Sequence, residues 1–144
     1  KCCIIGDIAH SRVAHTNIEI MKRLGMDVYI SGPEEYNDNS ATFITVDEAI
    51  KEMDVIMLLR VQFERHSENM SMSIEEYHQQ YGLSLDKVNK MKDNAIIMHP
   101  APVNRGVEIA DDVVECEKSR IYKQMTNGVF VRMSVISLTL DGKL

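Results

Sequence analysis

Between Asp54 and Arg60 the chain carries five consecutive apolar residues, Val55, Ile56, Met57, Leu58 and Leu59. A run this short, apolar at odd and even positions alike, has no solvent face. That is the pattern of a central parallel strand covered on both sides. Cys2, Cys3, Ile4 and Ile5 repeat the pattern and close at Gly6-Asp7. Two such strands require a layer of helices above the sheet and another below it.

The segments between them change period. Ser11 opens a helical pattern whose apolar positions Val13, Ile18, Ile20, Met21 and Leu24 read as a buried stripe, stopped by Gly25. Residues 27–31 read as the second strand, ended by Gly32-Pro33, and residues 34–41 as a polar loop. Residues 43–46 give a short third strand, after which Asp47 caps a helix running to Met53. Beyond a polar segment over residues 60–72, helices are expected at 74–81 and 84–91, and a last strand at 94–98. The tail from 119 to 140 is mostly helical, with an interruption at Asn127-Gly128. Alternation of strands and helices predicts an α/β three-layer open sandwich with a mostly parallel sheet. With 144 residues the chain holds one such domain, spanning 1–144, and not two.

Composition narrows the function classes. A net charge of -6 argues against a general nucleic-acid binder. No apolar run approaches the roughly 18 residues of a membrane span, and no secretory leader opens the sequence. Cys2, Cys3 and Cys116 form no CxxC pair and no disulfide framework, so a reducing, cytoplasmic compartment is expected. The histidines show no metal-ligand spacing, and neither a phosphate loop nor a nucleophile elbow occurs. A dinucleotide fold is unsupported, because Gly6 is the only glycine of the first βα turn.

In open parallel sheets, ligands bind beyond the carboxyl ends of the strands. That rule selects residues 6–12, 60–66 and 99–105, where the polar side chains also collect. Arg12 falls in the first turn of a helix, where a cation opposes the dipole. Its guanidinium can grip a carboxylate or phosphate in bidentate fashion, or simply pair with Asp7 on the surface. Arg60 follows five apolar residues and therefore emerges at the sheet edge. Gln62 can lie on the same side, offering a donor and an acceptor, with Glu64 and Arg65 available to steer both. In His99-Pro100-Ala101-Pro102 two prolines remove N–H donors and leave bare carbonyls in an extended stretch. Such carbonyls suit a substrate bearing an NH2 group, and the same segment also reads as a rigid strand exit with His99 satisfied in the core.

Taken in order, Gly6-Asp7 through Ser11-Arg12, then Arg60, Gln62, Glu64 and Arg65, then His99-Pro100-Ala101-Pro102 with Arg105-Gly106, resemble aspartate carbamoyltransferases. The segment from Lys123 through Asn127-Gly128 to Arg132 resembles their C-terminal helical region. The resemblance covers essentially all of the chain but only the second, aspartate-binding half of that family. The carbamoyl-phosphate half, with its Ser-Thr-Arg-Thr loop and His-Pro-x-Gln motif, has no counterpart here, so an isolated domain, inactive alone, is expected.

The resemblance implies that the α-amine of L-aspartate attacks carbamoyl phosphate, giving N-carbamoyl-L-aspartate and phosphate early in pyrimidine synthesis. Arg12 and Arg60 would clamp the aspartate carboxylates, supported by Gln62. The backbone carbonyls of Ala101 and Pro102 would accept from the carbamoyl NH2 and the amine. Glu64, Arg65 and Arg105 would position loops. No metal or organic cofactor is implied, and the partners implied are the carbamoyl-phosphate domain and a homotrimer of catalytic chains. Ala9 departs from the pattern, standing where some members carry Lys.

Two other readings share features with this sequence. An ornithine carbamoyltransferase would carry a His-Cys-Leu-Pro turn and a Ser-Met-Gly loop. Here the turn is His99-Pro100-Ala101-Pro102, and Ser71-Met72 is followed by Ser73. A non-catalytic amino-acid-binding module would keep the paired arginines without any turnover.

Overall fold

The computed structural model describes residues 1–61 and 72–143. Five strands among them form one sheet: β1 (Cys2–Ile5), β2 (Val28–Ser31), β3 (Thr42–Phe43), β4 (Val55–Leu58) and β5 (Ile96–Met98). Their order is β3-β2-β1-β4-β5, and every pairing is parallel. The helices are α1 (Arg12–Arg23), α2 (Val46–Glu52), α3 (Ile74–Gln80), α4 (Leu85–Val88), α5 (Asp111–Val114) and α6 (Ile121–Leu140).

β1 and β4 are apolar throughout because each feeds two cores. Cys3 and Ile5 of β1, with Ile56 and Leu58 of β4, pack on one face with Ile50 of α2 and Ile97 of β5. Cys2, Ile4 and Met57 point the other way, onto Ala14 and Ile18 of α1. This is the three-layer sandwich expected from the two-faced runs. Truncating one such fully buried Ile or Leu to Ala costs about 2–5 kcal/mol.

Helix starts follow local chemistry. The Ser11 hydroxyl accepts from the Ala14 N–H at 3.1 Å and starts α1. Ser73 and Glu76 exchange hydrogen bonds at 3.1 and 2.8 Å in a capping box that starts α3. Thr45, not Asp47, caps α2. The Glu48 N–H donates to the Thr45 hydroxyl at 3.2 Å while the Thr45 N–H donates to the Glu48 carboxylate at 2.8 Å. These bonds from the Thr45 backbone and hydroxyl hold the Glu48 carboxyl below its usual value. A Thr three residues before a Glu outcompetes the aspartate, and it takes Val46 out of the third strand, which shrinks to two residues.

Three other expectations are corrected. In α1 only Ala14 and Ile18 are buried, with Met21 packed beside them, while Val13, Ile20 and Leu24 are exposed. At about 100° per residue these last three form a separate stripe about a quarter-turn around the helix. Helix α4 is shorter than expected, closing at Val88. The tail does not break at Asn127-Gly128, and α6 runs unbroken for 20 residues. One glycine in a long helix costs only about 1 kcal/mol.

Candidate functional site

Parallel strands in register leave the sheet along one edge. Ile5 lies between Ser31 of β2 and Leu58 of β4, and Met57 lies beside Met98 of β5. From β1 the sheet grows outward to β2 and β3, then resumes on the other side with β4 and β5. The connections leaving β1 and β4 therefore diverge, opening a crevice between them. Residues 6–12, Arg60 with Val61, and residues 99–105 all leave from this edge.

The crevice begins tightly. Gly6 has φ +141°, and a Cβ there would stand 2.9 Å from the Leu59 Cβ. Gly32 has φ +143°, and its Cβ would meet the Gly6 carbonyl oxygen at 2.5 Å. The exits of β1 and β2 thus pack backbone to backbone, and Gly6 packs against the Leu59 side chain after β4, spacings that leave no room for a side chain at either glycine.

Beyond Gly6 the chain turns into α1. Asp7 accepts from the His10 backbone N–H at 3.1 Å and faces His10 Nδ1 at 2.9 Å, and the His10 ring meets Tyr36 edge-on at 6.0 Å. Arg12 is then the first residue of α1, with an exposed side chain. Across the crevice, Arg60 is half-buried and follows the buried Leu59 directly. The expected site residues Gln62, Glu64 and Arg65 lie outside the described residues.

The third segment is held by a network of buried hydrogen bonds. The Ala101–Pro102 peptide is cis, and Ala101 has φ +55°, a region few non-glycine residues occupy. His99 is fully buried. Its Nδ1 accepts from the Ala101 N–H at 2.9 Å, and its Nε2 lies 3.2 Å from Oε1 of Glu108. Glu108 is itself buried and accepts from the Asn104 N–H at 2.5 Å and, at a longer 3.4 Å, from the Val61 N–H. The Asn104 amide closes the loop by donating to the Val61 carbonyl at 2.8 Å. Arg105 points away, its guanidinium donating to the Asp111 carbonyl at 3.1 Å and facing the Glu115 carboxylate at 3.4 Å.

Beneath Val61 sits a small core of Tyr77, Val107 and Val61 itself. Burial, with Glu108 close by, pushes the Tyr77 phenol far above its usual value. Helix α3 is tied to the same segment through His78, whose Nδ1 lies 2.7 Å from the Val107 carbonyl oxygen. The sequence alone singles out neither Glu108 nor Asn104, and it gives His78 no role beyond the lack of metal-ligand spacing. The available signal was a carboxylate between Val107 and Ile109, where an apolar environment demands donors for it.

Cavities among the described residues include one beside β5 and one at the carboxyl end of β2. One, of about 570 Å³, separates β5 from α6 and is lined by Ile96, Met98, Arg120, Asn127 and Val131. The other, about 500 Å³, lies past the end of β2 between Ser31, Glu34, Tyr81 and Lys87. Among the described residues no cluster of His, Cys, Asp or Glu could hold a metal ion, and no helix is long and apolar enough to cross a membrane.

What the edge can do chemically is hold an anionic, amine-bearing small molecule. Guanidinium groups stand on two of the exits and donor-free carbonyls on the third. Comparisons with known proteins identify the family and the fold. The family model "Aspartate/ornithine carbamoyltransferase, Asp/Orn binding domain" matches residues 1–139. The aspartate carbamoyltransferase catalytic subunit of Streptococcus pyogenes serotype M4 is 54% identical over 147 aligned positions, covering 99% of this chain and 47% of the relative. The chain thus spans about half the length of the curated relatives it matches.

Solved structures give the same fold. Ornithine carbamoyltransferase from Pyrococcus furiosus superposes with a TM-score of 0.76 at 25% identity, over 95% of this chain and 48% of that one. Ligand-free aspartate transcarbamoylase from Trypanosoma cruzi gives 0.79 at 20% identity, over 94% and 48%. With the family model spanning nearly every residue, the chain belongs to the aspartate/ornithine carbamoyltransferase family, as its Asp/Orn-binding domain.

Proposed function

We propose that this domain is the aspartate-binding half of an aspartate carbamoyltransferase. The observation that supports the reading is the common carboxyl edge of the sheet, from which the segments bearing Arg12, Arg60 and Ala101-Pro102 all leave. Two guanidinium groups match the two carboxylates of aspartate, and each charge-assisted contact contributes about 1.5–3 kcal/mol. The side chain of ornithine is a cation and would meet arginine with repulsion. Identity of 54% to a relative named aspartate carbamoyltransferase catalytic subunit points the same way.

In this reading Arg12 and Arg60 orient aspartate so that its α-amine faces the carbamoyl carbon. The carbonyls of Ala101 and Pro102 accept from the carbamoyl NH2 and from the amine, directing the nitrogen lone pair forward. The new N–C bond forms a tetrahedral intermediate, the C–O bond to phosphate breaks, and the amine proton leaves with the phosphate. Gln62 supports the aspartate contact, and Glu64, Arg65 and Arg105 hold the surrounding loops. A carbamoyl-phosphate domain supplies the phosphate cradle, and closure of the two brings the reacting atoms to attack distance. The working enzyme is a cytoplasmic homotrimer of such catalytic chains.

The test is a carbamoyl-aspartate assay on this chain alone and mixed with the carbamoyl-phosphate half of a relative. Turnover of aspartate in the mixture only is the expected result. Turnover of ornithine in its place, or no turnover in a mixture that demonstrably associates, overturns the reading. The second of these outcomes leaves an amino-acid-binding module.

A further inference from the structure

Two of the three exit segments are joined through a single buried side chain. Glu108 is 2% exposed, and three N–H groups converge on its carboxylate. They come from the His99 ring at 3.2 Å, the Asn104 backbone at 2.5 Å and the Val61 backbone at 3.4 Å. His99 carries the Ala101–Pro102 turn, and Val61 directly follows Arg60. Asn104 adds the reverse tie, its amide donating to the Val61 carbonyl at 2.8 Å. Both backbone groups of Val61 are thereby held by the 99–108 segment.

The His99 ring is constrained at both ends. Because Nδ1 accepts from the Ala101 N–H, the ring proton resides on Nε2, where it donates to Glu108. The opposite tautomer would set an N–H against the Ala101 N–H and a lone pair against a carboxylate. The ring is therefore a spacer of fixed polarity between Glu108 and the turn whose carbonyls border the crevice.

We infer that Glu108 is a positioning residue of the aspartate site, setting the Arg60 guanidinium and the Ala101 and Pro102 carbonyls at a fixed separation through Val61 and His99. This rests on the proposed function for what is being positioned, but the geometry stands without it. Only an acceptor with two oxygens serves three donors here. A glutamine would retain one acceptor and turn an NH2 toward an N–H. Neither an amide flip nor a histidine tautomer change repairs that without breaking the Ala101 contact.

The experiment uses Glu108→Gln and Asn104→Ala in the complemented preparation that turns over aspartate, with ¹⁵N spectra of the His99 ring recorded in parallel. The parent chain is expected to show a neutral ring protonated on Nε2. Glu108→Gln is expected to raise the KM for aspartate about ten- to a hundredfold and the KM for carbamoyl phosphate by a clearly smaller factor, because aspartate loses the Arg60 alignment as well as the turn carbonyls that both substrates share. Simple destabilisation would not separate the two substrates. Asn104→Ala, at a partly exposed position, is expected to move aspartate KM in the same direction and is decisive if Glu108→Gln does not fold. Parent-like aspartate KM in the folded variants, or a parent ring protonated on Nδ1, overturns the inference. A parent mixture that associates but turns over no aspartate overturns the proposed function instead, and the ring spectra then judge the geometry alone.

Discussion

Nδ1 of His78 lies 2.7 Å from the carbonyl oxygen of Val107, tying the last turn of α3 to the segment that carries Glu108. The contact leaves no room beside it. A Cβ on Gly82 would stand 2.5 Å from both His78 Nδ1 and the Val107 oxygen. The edge segments are thus braced from behind as well as from the sheet.

Gly82→Ala is expected to destabilise the chain by about 1–3 kcal/mol through overpacking, and His78→Ala by about 1 kcal/mol through the lost hydrogen bond. Urea unfolding checks both, with the midpoint lowered and the slope unchanged. A parent-like midpoint for Gly82→Ala would mean that the loop yields without cost.

Arg60→Lys is expected to behave nearly as badly as Arg60→Ala. An ammonium keeps the charge but loses the planar fork that holds a carboxylate at two points. In the complemented enzyme both substitutions should raise the KM for aspartate about tenfold or more, and Arg12→Ala should do the same. Steady-state kinetics with aspartate varied at saturating carbamoyl phosphate decides this. An unchanged KM removes that arginine from the clamp.

The buried thiols predict an alkaline limit. Burial raises Cys2 from 9.0 to about 11, and Cys3 still further. Each raised thiol holds its proton more tightly when folded. Between the unfolded and folded values the native state binds more protons, so stability falls as pH rises. For Cys2 the loss sets in near pH 9, levels off only above about pH 11, and amounts to about 3 kcal/mol at 1.36 kcal/mol per unit. Denaturant midpoints measured from pH 8 to 11 should decline, and less steeply in Cys2→Ala. Below pH 9 a thiol reagent should label the half-buried Cys116 in the native state and reach Cys2 and Cys3 only on unfolding.

Helix α6 buries only Ile121, while Phe130, Val131, Met133 and Ile136 are each about 60% exposed. An apolar surface of this size does not remain in water at high concentration. Sedimentation velocity on the isolated chain should show association that grows with concentration. Phe130→Lys with Ile136→Lys should restore a monomer. A parent chain that stays monomeric at hundreds of micromolar would contradict this.

The sheet was legible because β4 and β1 carry their burial in the sequence itself, with no polar residue on either face. Ser11, Ser73 and Ser84 each announce a helix start, and each hydroxyl accepts the N–H three residues on. Thr45 was overlooked beside Asp47 because both are good caps, and the decision lay with Glu48. The sequence does not separate the buried stripe of α1 from its exposed one, because Val13, Ile20 and Leu24 share a helical spacing of their own. Glu108 could not be read locally, since its partners His99 and Val61 stand 9 and 47 residues away. The exits that carry Arg12, Arg60 and Ala101 followed from topology, whereas Gln62, Glu64 and Arg65 fall outside the described residues.

The backbone contact between Gly6 and Gly32 bears on how a scaffold of this kind can diversify. With no space for a side chain at either position, the strand ends form a plate that cannot be re-cut one residue at a time. A change at Gly32 would be transmitted to the turn before Arg12, and one at Gly6 to Leu59 before Arg60. Novelty in what the crevice accepts must therefore arise farther out, in segments such as 101–105, where Pro102 and Arg105 already face solvent. Ligand preference in this architecture can drift at the rim while its foundation stays frozen.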